Sequence, residues 1–143
     1  MKQIWIPFII IIMAVIFING CKKESSATST SDQYSNKLTL GTGMNGFDLT
    51  GVTTSFSRIG GVANIYWRLE SANDMGGSSV TLAIDRQGSS GWVSYNSTTY
   101  PSTQSYGHIM LSNVVVADTG SFRATGILVT GNATVATTNF TVH

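Results

Sequence analysis

From residue 64 to 70 the side chains alternate in polarity, with Ile65, Trp67 and Leu69 on one side and Asn64, Tyr66, Arg68 and Glu70 on the other. Residues 79–85 repeat the pattern with Val80, Leu82 and Ile84. A period of two places every second side chain on one face of an extended strand, so a chain written this way buries its apolar side chains in sheets. No window of eleven or more residues carries an unbroken 3.6-residue period, and no helix is expected after residue 36. Strands are expected at 37–42, 52–57, 63–70, 79–86, 92–96, 107–112, 121–129 and 133–142. Turn-forming residues separate them at 41–46, Gly60-Gly61, 73–77, 87–91, Pro101 and Gly131-Asn132. Seven or eight strands over the 107 residues from 37 to 143 is the count of an all-β, antiparallel two-sheet sandwich.

Composition narrows the function. The chain holds 18 Ser, 18 Thr, 15 Gly and 9 Asn, and only 10% of it is charged, against about 25% in an average soluble protein. Residues 37–143 carry five cations (Lys37, Arg58, Arg68, Arg86, Arg123) and five anions (Asp48, Glu70, Asp74, Asp85, Asp118). Such a balance supplies no field to hold a polyphosphate, so nucleic acid is not an expected partner. With 42% hydrophobic residues and a net charge of +1, disorder of the whole chain is excluded as well.

At the N-terminus, Lys2 precedes an apolar run from Ile4 to Ile18 that contains Pro7 and ends in Asn19, Gly20 and the sole cysteine, Cys21. As a helix the run would rise about 22 Å, short of the roughly 30 Å hydrocarbon core, which suits a secretory signal better than a stable span. Ile18-Asn19-Gly20-Cys21 resembles the lipobox of bacterial lipoproteins. The resemblance implies a diacylglycerol thioether on Cys21, cleavage before it, and acylation, as by palmitate, of the new N-terminus. Its alternative is an uncleaved helix with an incidental cysteine. The implied address is the cell envelope, anchored in the outer membrane, with Cys21 neither redox-active nor catalytic and the body free of disulfides.

Residues 22–36 contain no aliphatic side chain larger than alanine and read as a flexible tether reaching about 20 Å. Lys22-Lys23-Glu24-Ser25 is similar to the export signals of surface-exposed lipoproteins of the Bacteroidota. Solvated tether charge is the alternative, so the periplasmic and surface sides both stay open. The expected organisation is a signal peptide (1–20), lipidated Cys21 with its linker (21–36), and the sandwich (37–143).

Residues 109–124, IMLSNVVVADTGSFRA, resemble the corner of immunoglobulin-like domains that leads into Asp-x-Gly-x-Tyr-x-Cys, with Asp118, Gly120, Phe122 and Ala124 in those slots. The resemblance implies an immunoglobulin-like sandwich in which Asp118 bonds backbone at the turn and Phe122 faces the core. Trp67, on the third expected strand, matches the family's core tryptophan. Phe122 lacks the hydroxyl of the family's tyrosine, and Ala124 stands where the inter-sheet cysteine would be. Likeness of fold carries little about function.

For chemistry, the two histidines, His108 and His143, stand apart, and no HxH, HExxH or CxxC spacing exists, so no metal site, cofactor or catalytic residue is expected. His108 alternates with Ile109 and is expected at the solvent face. Asp48 and Asn73-Asp74 have oxygen ligands suited to calcium, but without an EF-type spacing turn capping is the preferred reading. The expected activity is non-enzymatic binding. One candidate surface is the aromatic stretch Trp92, Tyr95, Tyr100 and Tyr106, a platform for a carbohydrate or a protein. Packing of Tyr95 and Tyr106 against the sandwich edge, with Trp92 closing one end of the core, is the alternative. A second surface is Tyr66 and Arg68 beside the outward-pointing Ile127 and Val129, with an overlying loop as its alternative. A structural or assembly role in the envelope stands as the competing function.

Overall fold

The computed structural model describes residues 34–143. Cys21, the signal segment and the tether up to residue 33 lie outside the described residues. The strands are β1 (Lys37–Asn45), β2 (Asp48–Val52), β3 (Ser55–Phe56), β4 (Ala63–Glu70), β5 (Val80–Gly88), β6 (Gly91–Tyr100), β7 (Ser105–Tyr106), β8 (Ile109–Val116), β9 (Gly120–Leu128) and β10 (Ala133–Val142). They form two five-stranded sheets, the first in the order β2-β1-β4-β8-β7 and the second in the order β3-β10-β9-β5-β6. The fold is the all-β sandwich that the alternation requires. Eight strands have five residues or more, and β3 and β7 have two each. The larger count arises because residues 52–57 divide between the end of β2 and β3, and because β7 covers the start of β8.

The inward positions are those the period of two selects. Leu38, Leu40, Ile65, Trp67, Leu69, Met110, Val114 and Val116 come from the first sheet, and Val80, Leu82, Ile84, Phe122, Ala124, Phe140 and Val142 from the second. Phe122 stacks on Phe140 at 5.3 Å, and Trp67 meets Tyr100 edge-on at 4.9 Å. The N-terminal strands close one lateral side of the sandwich. Residues 37–41 pair antiparallel with β4, and the chain then crosses to run parallel to β10 as β3. Both sheets thus gain a partner along an edge that would otherwise be open.

Residues 117–119 carry the chain from β8 in the first sheet to β9 in the second, as the immunoglobulin-like corner implies. Gly120 opens β9 at a φ of 136°, a conformation that disfavours a side chain. Two details differ from the expectation. Among the described residues Asp118 bonds no backbone group through its side chain and instead faces Arg86, with Nη1 3.5 Å from Oδ2. Trp67 is not on the strand beside β9, where the family places its core tryptophan. That strand is β5, which sets Ile84 next to Ala124, while Trp67 packs from the opposite sheet.

Of the glycines in 41–46, Gly41 and Gly43 do not make the expected turn. β1 runs through Gly41 and Gly43 to Asn45, and the reversal falls at Gly46-Phe47. Their role is close approach: a Cβ on Gly41 would stand 2.7 Å from the Thr50 carbonyl oxygen. At the tip, Phe47 packs edge-on against Tyr106 of β7 at 4.8 Å, although β2 and β7 are opposite edges of the first sheet. The hairpin therefore reaches across the outer face of that sheet. Leu111 points outward from β8 and is still only 9% exposed.

Candidate functional site

The eight candidate surface residues separate into four environments. Tyr66 and Arg68 point outward from β4 in the first sheet, whereas Ile127 and Val129 belong to β9 and the residue after it, in the second. They lie on opposite outer faces of the sandwich and do not form the single patch expected. Alternation assigns a side chain to a face of its own strand, but which strands share a sheet depends on pairing between distant segments. Arg68 is ion-paired with Glu70, and a recess of about 340 Å³ lies between them and Asp48, Leu49 and Val52 of β2. Ile127 is half-buried between Thr81 and Thr134, and Val129 is exposed.

Tyr95 and Tyr100 are structural, in correction of the aromatic platform. Tyr100 is 9% exposed, and its hydroxyl donates to the Asn113 carbonyl at 2.8 Å, joining β6 of the second sheet to the open edge of β8 in the first. Burial pushes its phenol above the ordinary value, while Trp67 and Ser112 nearby moderate the rise, so the group stays protonated and donating at neutral pH. Tyr95 packs edge-on against Phe122 at 5.2 Å, and its hydroxyl oxygen accepts the backbone N–H groups of Ala117 at 3.2 Å and Asp118 at 3.3 Å. The hydroxyl missing from Phe122 is thus supplied to the corner by a different strand. Arg58 and Arg86 complete the corner by donating to the carbonyls of Ala117 and Thr119, each at 2.8 Å. Tyr95→Phe is expected to lower stability by about 1–2 kcal/mol, read as a lower urea midpoint at unchanged slope.

Tyr106 is exposed beside Phe47 and Met44, over a recess of about 390 Å³ that also touches Leu111. Trp92 alone of the platform residues lies on an open sheet face. It is 36% exposed on the edge strand β6, and the Arg123 guanidinium carbon sits 4.9 Å from its ring centroid. Arg123 is fixed in turn by Asp85, whose Oδ2 accepts from Nε at 3.2 Å and from Nη2 at 2.7 Å. The pairing of β5 with β9 sets Asp85 opposite Arg123, and the pairing of β5 with β6 sets Trp92 opposite Gln87. Asp85 and Arg123 were not among the sequence candidates. Their outward direction is legible from alternation, but their adjacency comes from a pairing between strands 38 residues apart.

Hydroxyls surround this group. Ser97, Ala83, Thr125 and Thr137 form one cross-strand row, and Thr99, Thr81, Ile127 and Thr134 the next. Thr81 bonds Thr99 at 2.8 Å and Thr125 bonds Thr137 at 3.2 Å. The group also lies at a defined end of the sandwich. Tyr34 stacks on His108 at 4.9 Å, and Asn36 Oδ1 accepts from the Ala72 amide at 2.9 Å, so the chain enters where Lys37 pairs with Glu70. Trp92 lies toward the other end, near the corner, where Arg86 pairs with Phe122.

His108 and Asp74 have structural partners. His108 Nδ1 contacts the Ser71 carbonyl at 2.9 Å, and Asp74 accepts from the Gly76 amide at 2.7 Å, which is the turn-capping arrangement. Among the described residues no three of His, Cys, Asp and Glu gather into a metal-binding group. No helix among them is long and apolar enough to cross a membrane. Neither a family model nor a curated protein matches the chain. Among solved structures it is similar to the Pseudomonas fluorescens alkylpurine DNA glycosylase AlkC bound to DNA containing an abasic site analog, with 13% identity and a TM-score of 0.34. The match covers 63% of this chain and 27% of that one, so the chain spans about a quarter of the glycosylase's length.

Proposed function

We propose that this chain is a lipid-anchored cell-envelope protein, held in the outer membrane through Cys21, whose sandwich is a non-enzymatic recognition module. The observation that supports recognition is the Asp85–Arg123–Trp92 group, a half-exposed ring braced by a guanidinium that a carboxylate holds in turn. Bracing in advance reduces the side-chain entropy lost on binding, and aromatic and arginine side chains carry much of the energy at recognition surfaces. The chain enters the sandwich near Tyr34, at the end opposite Trp92. Nucleic acid is not a partner in this reading, because the charges of the body balance.

The competing reading, a structural or assembly component of the envelope, is favoured by a different feature, the exposed apolar group of Met44, Phe47 and Tyr106. Retention of solubilised envelope material on the immobilised protein separates the two. Trp92→Ala is expected to reduce retention at least tenfold while Tyr106→Ala leaves it nearly unchanged. The opposite pattern would move the function to the Phe47–Tyr106 end.

A further inference from the structure

We infer that the Trp92 face of the second sheet is a binding site for an uncharged polysaccharide, an inference that rests on the recognition reading above. Three observations narrow the ligand to this class. The first is charge: the one carboxylate and the one guanidinium at the centre of the face, Asp85 and Arg123, neutralise each other, so neither a polyanion nor a polycation gains from long-range attraction. The second is hydrogen-bonding capacity. Both contacts of the ion pair use Asp85 Oδ2, which leaves Asp85 Oδ1 and Arg123 Nη1 without protein partners among the described residues. One free acceptor and one free donor on the same face suit the hydroxyls of a sugar, each of which can donate and accept.

The third is the ring itself. Trp92 stays partly exposed although Arg123 lies over it, and an indole surface next to polar groups suits the mixed C–H and O–H faces of a pyranose. The adjoining face supports this with hydroxyls and little hydrocarbon. Ser97, Thr125 and Thr137 continue from the centre, and the Thr125–Thr137 contact leaves hydroxyl capacity free for a ligand. An apolar protein partner would find one aliphatic larger than alanine in these rows, the half-buried Ile127, which makes a protein interface the weaker reading of this surface. The face spans four strands at about 4.8 Å spacing, wide enough for a chain of sugars.

The test is calorimetric titration of the full chain in detergent micelles with dextran, xylan and mannan, and with alginate as a polyanion. At least one neutral polymer is expected to bind saturably and alginate at least tenfold more weakly. Trp92→Ala is expected to weaken neutral-polymer binding at least tenfold, and Asp85→Asn, which removes the charge but keeps the shape, at least threefold. Unchanged far-ultraviolet spectra of both variants establish that the sandwich is intact. Failure of all three neutral polymers, tighter binding of alginate, or binding indifferent to Trp92→Ala would overturn the inference. If the neutral polymers fail while retention of envelope material still requires Trp92, the sugar class falls and the recognition reading survives; if retention also ignores Trp92, both fall.

Discussion

Trp67→Ala is expected to cost about 3–5 kcal/mol, the range for emptying a large aromatic site in a packed core. Trp67 is fully buried, meets Tyr100 edge-on, and shares its core with Ala124, the small residue in the slot of the inter-sheet cysteine. A sandwich of this kind would draw about 2–5 kcal/mol from a disulfide, and here apolar packing has to supply that stability. Against a typical total of about 5–15 kcal/mol, loss of the ring takes a large part of the whole. The expected result is a strongly lowered urea midpoint and a substantial unfolded fraction at 37 °C, read by circular dichroism. Trp67→Phe separates volume from polarity. The indole Nε1–H is buried beside the Tyr100 hydroxyl without a hydrogen bond of ordinary geometry, so phenylalanine removes an incompletely compensated polar group together with part of the ring. Its cost is expected to be less than half that of alanine. A midpoint unmoved by Trp67→Ala would mean that the sheets do not depend on this ring for their contact.

Cys21→Ser is expected to abolish firm membrane attachment of the processed protein. Burial of acyl chain contributes about 0.8 kcal/mol per methylene, so one chain holds a protein marginally and two or more hold it firmly. A serine hydroxyl in place of the thiol provides no thioether, and residues 22–36 offer almost no apolar surface as a substitute. The expected outcome is that the original chain enters the detergent phase on phase separation and carries the mass of its acyl groups on the Cys21 peptide. The variant is expected either to accumulate uncut or, where cut, to enter the aqueous phase. A Cys21 peptide of unmodified mass from the native membrane would remove the anchor from the account.

These two experiments probe features of different legibility. The strand at 63–70 was readable to the residue because strict alternation over eight positions leaves one way to bury Ile65, Trp67 and Leu69 together. The same holds for Phe122 and Ala124, whose inward direction follows from the corner pattern and from the turn at Gly120. The candidate site was legible only in part. Trp92 was identified as an aromatic in a polar stretch, but so were Tyr95 and Tyr100, and nothing local distinguishes them. Their hydroxyls are spent on Ala117, Asp118 and Asn113, groups 13 to 23 residues away on another strand and at the corner. A tyrosine that joins two sheets and one that offers its face to a ligand have the same local pattern.

By itself, then, the amino-acid sequence determined that residues 37–143 make strands, which side chains of β4, β5 and β9 turn inward, where the chain passes from β8 to β9, and that an apolar run from Ile4 to Ile18 is followed by the sole cysteine, Cys21. These are local properties, set by a two-residue repeat, by turn chemistry and by covalent spacing. Tertiary structure alone decided that β4 and β9 belong to different sheets, that the β1–β2 hairpin crosses the outer face above Arg68, and that Asp85, Arg123 and Trp92 come together. The reason is that strand pairing is a contest among segments of nearly equal local preference. Its winner is chosen by how the buried faces of both sheets fill one shared core, a sum over residues far apart in the chain.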